Sequence, residues 1–172
     1  MKTLCLLRHG HAGRGKGLQD FDRPLSEAGA AAASRIPAIL RDAGLLPDLV
    51  LCSDARRARQ TWEALATNFG AEEADGITLD LREDLYLASE TRLLMALREL
   101  PGAASSVLLI AHNPGLHHLA RALAGPGSRA GALARLGRDF PPAGLAVLTY
   151  DAADWGALAP GQARLSGFFE PA

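Results

Sequence analysis

Apolar positions in this chain form four short continuous runs, separated by longer stretches in which they recur every three or four residues. The runs are Thr3 to Leu7, Leu49 to Cys52, Ile77 to Leu81 and Ser106 to Ala111. Continuity rather than alternation predicts strands covered on both faces. Between them the spacing predicts helices. After Ser26, an N-cap residue with Glu27 in the first turn, Ile36, Ile39, Leu40 and Ala43 share a face, Gly44 supplies a stop, and Pro37 predicts a kink. A second helix starts at Asp54, buries Ala58, Trp62, Leu65, Ala66 and Phe69, and ends at Gly70. A third runs from Ser89 to Leu100 on Leu93, Leu94 and Leu97; a fourth follows Pro114 on Leu116, Leu119, Ala120 and Leu123. Gly125 to Gly137 reads as an irregular surface excursion. Leu145 to Tyr150 and Trp155 to Leu158 read as two further strands at the sheet edge, joined by a turn at Asp151 to Asp154. The alternation predicts an α/β fold, a three-layer αβα domain with a mostly parallel central sheet, as one domain over residues 1–172.

Charge narrows the partners. Eighteen Lys and Arg against 19 Asp and Glu leave a net charge of -1, which gives no general attraction to nucleic acid or an anionic membrane. Any anion site must come from local clustering. Cys5 and Cys52 each lie in an apolar run, as free buried thiols do, which fits a reducing compartment. No stretch approaches the roughly 20 apolar residues that span a bilayer, and the predicted location is cytoplasmic.

The segment Leu6 to Gly17, LLRHGHAGRGKG, supports two readings. Gly10-x-x-x-x-Gly15-Lys16 imitates a nucleotide phosphate loop, but that loop needs Ser or Thr after the lysine and a helix starting there. Here Gly17 follows, and Leu18 to Pro24 has no helical periodicity. The first half instead delivers Arg8-His9-Gly10 directly after a strand. Two other strand ends carry similar chemistry: Ser53-Asp54-Ala55-Arg56-Arg57 and His112-Asn113-Pro114-Gly115. In a parallel sheet all three junctions share the carboxyl edge, where ligands bind. Arg56, Arg57 and Arg59 also crowd a helix N-terminus, where the macrodipole opposes cations and an anion would relieve them.

Arg8-His9-Gly10, Ser53-x-x-x-Arg57-Ala58-x-Gln60-Thr61 and the late His112 together resemble the histidine phosphatase superfamily, the phosphoglycerate mutase-like family. Asp22-Arg23-Pro24-Leu25-Ser26 and His112-Asn113-Pro114-Gly115 look like its SixA-type phosphohistidine phosphatase branch, a likeness running from Leu4 to about Tyr150. That resemblance implies a covalent phosphohistidine intermediate on His9. Arg8 and Arg57, and His112 if protonated, would hold the phosphoryl oxygens, with Asn113 beside them and Arg23 at the rim. No metal or other cofactor is then needed. It points to Glu83, with Asp84 as rival, for the general acid. His11 stands where some members carry an acidic residue. His117 and His118 lack metal-site spacing and read as a wet helix face.

The implied substrate is phosphohistidine in a protein such as a histidine phosphotransfer domain, with phosphate as product. The stretch from Gly70 to Ser105 is too short for a helical lid, so the site should be open. A small phosphomonoester is the alternative substrate, and a non-catalytic phosphate-binding module the alternative class.

Overall fold

The structure, a computed structural model, describes residues 1–171. Its sheet has six strands: β1 (Lys2–Arg8), β2 (Leu49–Ser53), β3 (Thr78–Arg82), β4 (Ser106–Ala111), β5 (Leu145–Tyr150) and β6 (Ala163–Phe169), in spatial order β3-β2-β4-β1-β5-β6. The first four are parallel; β5 and β6 run antiparallel to their neighbours. Seven helices connect and cover them among the described residues: α1 (Glu27–Ala33), α2 (Ile36–Asp42), α3 (Arg56–Ala66), α4 (Ala71–Asp75), α5 (Glu90–Arg98), α6 (Gly115–Leu123) and α7 (Ala130–Arg138).

Strand pleating divides each apolar run between two cores. Leu4, Leu6, Val107 and Leu109 pack with α5, α6 and α7, through residues such as Leu93, Leu97, Leu116, Leu119 and Leu136. Cys5, Leu7, Leu108 and Ile110 pack on the other face with Ile36, Leu40, Ala58 and Leu65 of α2 and α3. Both cysteines are free and buried, and burial pushes the Cys5 thiol up to about 12 and Cys52 further still. They are unreactive packing residues.

Several expectations need correction. The segment after Ser26 is two helices, not one kinked helix: α1 ends at Ala33, and Pro37 sits in the first turn of α2, where its missing N–H costs nothing. The Asp54 helix begins two residues later, at Arg56, and Gly70 opens the short α4 instead of merely ending α3. Strand β3 is an edge strand with Leu79 and Leu81 exposed, so only three of the four apolar runs are covered on both faces.

The stretch read as irregular between Gly125 and Gly137 contains α7, which buries Ala132 and Leu136. The last strand is Ala163–Phe169, not Trp155 to Leu158. Trp155 and Leu158 are fully buried in the connecting loop, with the Trp155 indole N–H donating to the Ala104 carbonyl at 2.9 Å. Buried Lys2 donates to the same carbonyl at 2.8 Å, so the two side chains close the amino edge of the sheet. No helix among the described residues is long and apolar enough to cross a membrane.

Candidate active site

The strand order decides which side chains meet. Because β4 lies between β1 and β2, His112 at its end is flanked by His9 on one side and by Ser53 and Arg57 on the other. Here a cavity of about 280 Å³ opens, lined by Arg8, His9, Arg23, Arg57, His112 and Asn113, with His11 at its margin. Six residues expected from the sequence therefore converge. A larger cavity of about 570 Å³ lies between α2, α7 and β6, without a histidine or cysteine in its lining.

His9 is pinned through its backbone: its N–H donates to the Ala111 carbonyl, and its own carbonyl accepts from Ala143, which closes the start of β5. Its Nδ1 lies 2.7 Å from the Gly10 carbonyl. A carbonyl only accepts, so Nδ1 carries the proton and Nε2 keeps its lone pair. Arg57 Nε donates to that Nε2 at 3.3 Å. Gly10 is required by close approach, since a Cβ there would stand 2.8 Å from the Gly29 carbonyl oxygen at the start of α1. Its N–H donates to Thr61 Oγ at 3.0 Å, and that hydroxyl donates to the Arg57 carbonyl at 2.7 Å. The Gln60 side chain accepts from Leu25 N–H at 2.8 Å. The Arg57-x-x-Gln60-Thr61 spacing thus ties one face of α3 to the loop that carries His9.

His112 packs 4.9 Å from His9, ring centre to ring centre. Its Nε2 lies 2.7 Å from Ser53 Oγ, and its Nδ1 receives a long contact of 3.5 Å from Arg57 Nη2. A guanidinium only donates, so Nδ1 is the unprotonated nitrogen. One arginine therefore faces two imidazole lone pairs. Burial first, then neighbouring charge, pulls His9 down to about 4 and His112 to about 3, from 6.5. In the free site these surroundings favour the neutral form of His112.

These shifts set a pH dependence. Above pH 6.5 both imidazoles are neutral folded and unfolded, so they leave stability unchanged. Below it the unfolded chain gains protons that the fold refuses, and stability falls until the folded values are reached. Each unit of difference in one group is worth about 1.4 kcal/mol, and the two imidazoles act in the same direction. NMR titration of the imidazoles should give both midpoints well under 5.5; midpoints near 6.5 would contradict the buried geometry.

Arg8 ends β1 and donates through Nη1 to the Phe140 carbonyl at 3.0 Å, where Asn113 Nδ2 also donates at 2.9 Å. Arg8 Nε and Asn113 Oδ1 are buried without partners. Arg23 reaches the rim through the Gly13 carbonyl, at 3.1 Å from Nε and 3.0 Å from Nη2. Of the other two arginines at the start of α3, Arg59 pairs with Asp54 at 3.4 Å on the surface, and Arg56 is exposed.

The acid candidates lie elsewhere. Glu83 is exposed on the turn after β3 and lies outside the cavity lining. Asp84 is held by Arg82 and Arg92, which keep its carboxylate at about 2. His117 faces α7, its Nε2 2.6 Å from the Leu136 carbonyl, so only His118 lies on a wet face. Among the described residues no group of three or more His, Cys, Asp or Glu side chains could hold a metal ion.

Two contributors escaped sequence reasoning. Asp20, on a short 3-10 turn, bonds Arg57 through both its backbone carbonyl and its carboxylate. Tyr86 donates its hydroxyl to that carboxylate and lies edge-on to His112 at 5.5 Å. Asp20 sits three residues before Arg23, a spacing that signals a surface ion pair and nothing more.

Comparison with known proteins finds relatives along nearly the whole chain. The model for the histidine phosphatase superfamily (branch 1) matches residues 4–86. An uncharacterised protein of Mycobacterium tuberculosis is 32% identical over 166 residues, covering 96% of this chain and 99% of its own. A candidate phosphohistidine phosphatase SixA from Nakamurella multipartitia superposes with a TM-score of 0.82 at 31% identity, over 99% of this chain and 96% of that one. One from Agrobacterium tumefaciens gives 0.80 at 33%, over 99% and 98%. With the full length matched and the histidine and arginine pairs gathered at one sheet edge, this chain belongs to the histidine phosphatase superfamily, in its SixA-type branch, and so to the phosphatase hydrolases.

Proposed function

We propose that the chain is a protein phosphohistidine phosphatase that works through a phosphohistidyl intermediate on His9. In the first step Nε2 of His9 attacks phosphorus, the substrate's P–N bond breaks, and its electron pair returns to the leaving imidazole. In the second, water attacks phosphorus, the P–Nε2 bond breaks with its electron pair returning to Nε2, and inorganic phosphate leaves as His9 is restored. Arg8 and Arg57, which line the same cavity as His9, would neutralise the equatorial oxygens, with Asn113 and Arg23 beside them. The incoming phosphoryl charge would draw a proton back onto His112 and make it a further donor.

The observation that carries the choice of substrate is the cavity lining, which contains arginines and histidines but neither Asp nor Glu. An alkoxide leaving group demands a strong proton donor; an imidazole does not, because it departs neutral once its second nitrogen is protonated. The exposed position of Glu83 favours the same reading. The natural substrate would then be phosphohistidine on a protein such as a histidine phosphotransfer domain.

Turnover of a phosphorylated histidine phosphotransfer domain should exceed turnover of sugar and nucleotide monophosphates, and rapid quenching should trap acid-labile, base-stable phosphate on His9. Activity confined to the small esters would overturn the substrate. Absence of any trapped phosphate during turnover would overturn the intermediate.

A further inference from the structure

Arg57 has two usable edges, and the structure commits them to different tasks. Its side edge, Nε and Nη2, faces the lone pairs of His9 at 3.3 Å and His112 at 3.5 Å. Its end edge, Nη1 and Nη2, is filled by Asp20: Nη1 donates to the Asp20 carbonyl at 2.7 Å, and Nη2 to its carboxylate at 3.0 Å. Asp20 is itself held. Its other carboxylate oxygen accepts from Arg23 at 3.1 Å, and Tyr86 donates to the oxygen that Arg57 uses. The Tyr86 ring lies 5.7 Å from the Arg57 guanidinium carbon and stacks edge-on against Phe21 of the same turn, at 4.9 Å.

We propose that Asp20, supported by Tyr86, is a positioning residue that clamps the end edge of Arg57 and so presents its side edge to the phosphoryl group. This rests on the reading in which Arg57 binds that group. An arginine has several rotatable bonds, and among the described residues only Asp20 accepts from both donors on the end edge of this one; without Asp20 the guanidinium would sample orientations in which neither histidine is faced. Fixing one orientation in advance lowers the barrier to reaction more than it aids binding, because the transition state is the more demanding of exact geometry. The Asp20 carboxylate is kept ionised at about 2, with the Tyr86 hydroxyl the largest cause, so the clamp persists across the working pH range.

An opposing possibility is physically distinct: Asp20 could be an internal anion that competes with the phosphoryl for Arg57. The two differ in sign. Steady-state kinetics of Asp20→Asn, Arg57→Ala and the double variant, with a phosphorylated protein and with para-nitrophenyl phosphate, decide between them.

Clamping predicts that Asp20→Asn lowers kcat by about tenfold to a hundredfold, with KM changed by less than about threefold. In the Arg57→Ala background the same change should cost less than about threefold more, since a residue acting through Arg57 has nothing left to position. A higher kcat/KM in Asp20→Asn would instead identify a competing anion, and an equal loss in both backgrounds would show that Asp20 acts elsewhere; either overturns the proposal. Should Asp20→Asn fail to fold, Tyr86→Phe takes its place, with a smaller kcat loss that also vanishes without Arg57. If Arg57→Ala leaves turnover intact, the phosphoryl-binding role of Arg57 fails and the clamp with it; if only Asp20→Asn and Tyr86→Phe are neutral, the clamp alone fails.

Discussion

Replacing His9 with alanine is expected to lower turnover by at least about ten-thousandfold, the scale on which enzymes lose rate when their nucleophile is removed. Among the described residues His112 is the only other imidazole buried in the cavity; its Nε2 is committed to Ser53 at 2.7 Å, and its Nδ1 faces Arg57 at 3.5 Å. The substitution removes a neutral ring held to the backbone of Gly10; Arg57 Nε loses its acceptor, but Arg8 keeps Phe140 and Arg57 keeps Asp20. His9→Ala should therefore still bind inorganic phosphate, measured by calorimetry, while losing turnover. If activity survives, His9 is not the nucleophile; if the wild type binds phosphate but turns nothing over, the protein is a non-catalytic phosphate-binding module.

The second large effect falls on Arg57. Arg57→Ala removes the donor to both imidazoles and strips the Asp20 carboxylate of its buried partner. Loss of a donor aimed at developing charge costs about a hundredfold to a thousandfold in kcat, or roughly 3–4 kcal/mol of barrier. Arg57→Lys keeps the charge yet should recover little, because one ammonium cannot span two edges that meet different partners. A lysine variant within about threefold of the wild-type rate would show that charge alone matters and that the planar fork does not.

The buried strands were legible from the chain because Leu4 to Leu7 and Val107 to Ala111 need apolar neighbours on both faces, and that demand is written at every position. Once three strands are parallel, topology brings Arg8, His9, Arg57 and His112 to one edge without knowledge of distances. Elements were missed where burial depends on what arrives later. Helix α7 carries Gly131 and Gly137, which weaken its helical signal, and it is held by packing of Ala132 and Leu136. Strand β6 contains Arg164, Ser166 and Gly167, whereas Trp155 and Leu158, more apolar, plug a loop. Asp20 was invisible for a related reason: its partners Arg57 and Tyr86 lie 37 and 66 residues away, and nothing local marks where the turn folds back.

The central place of β1 bears on how the protein is made. Its partners are β4, reached through the Thr3 to Ser106 pairing, and β5, through Leu7 to Leu145. The residues of β1 thus wait for segments more than a hundred residues further along the chain before they have strand neighbours, and contacts of such long range form slowly. A fragment limited to the family-matched residues 4–86 contains His9, Arg8 and Arg57 but neither strand that flanks β1. A nascent or clipped chain that stops short of β4 would carry the His9 imidazole without the His112 that completes the cavity.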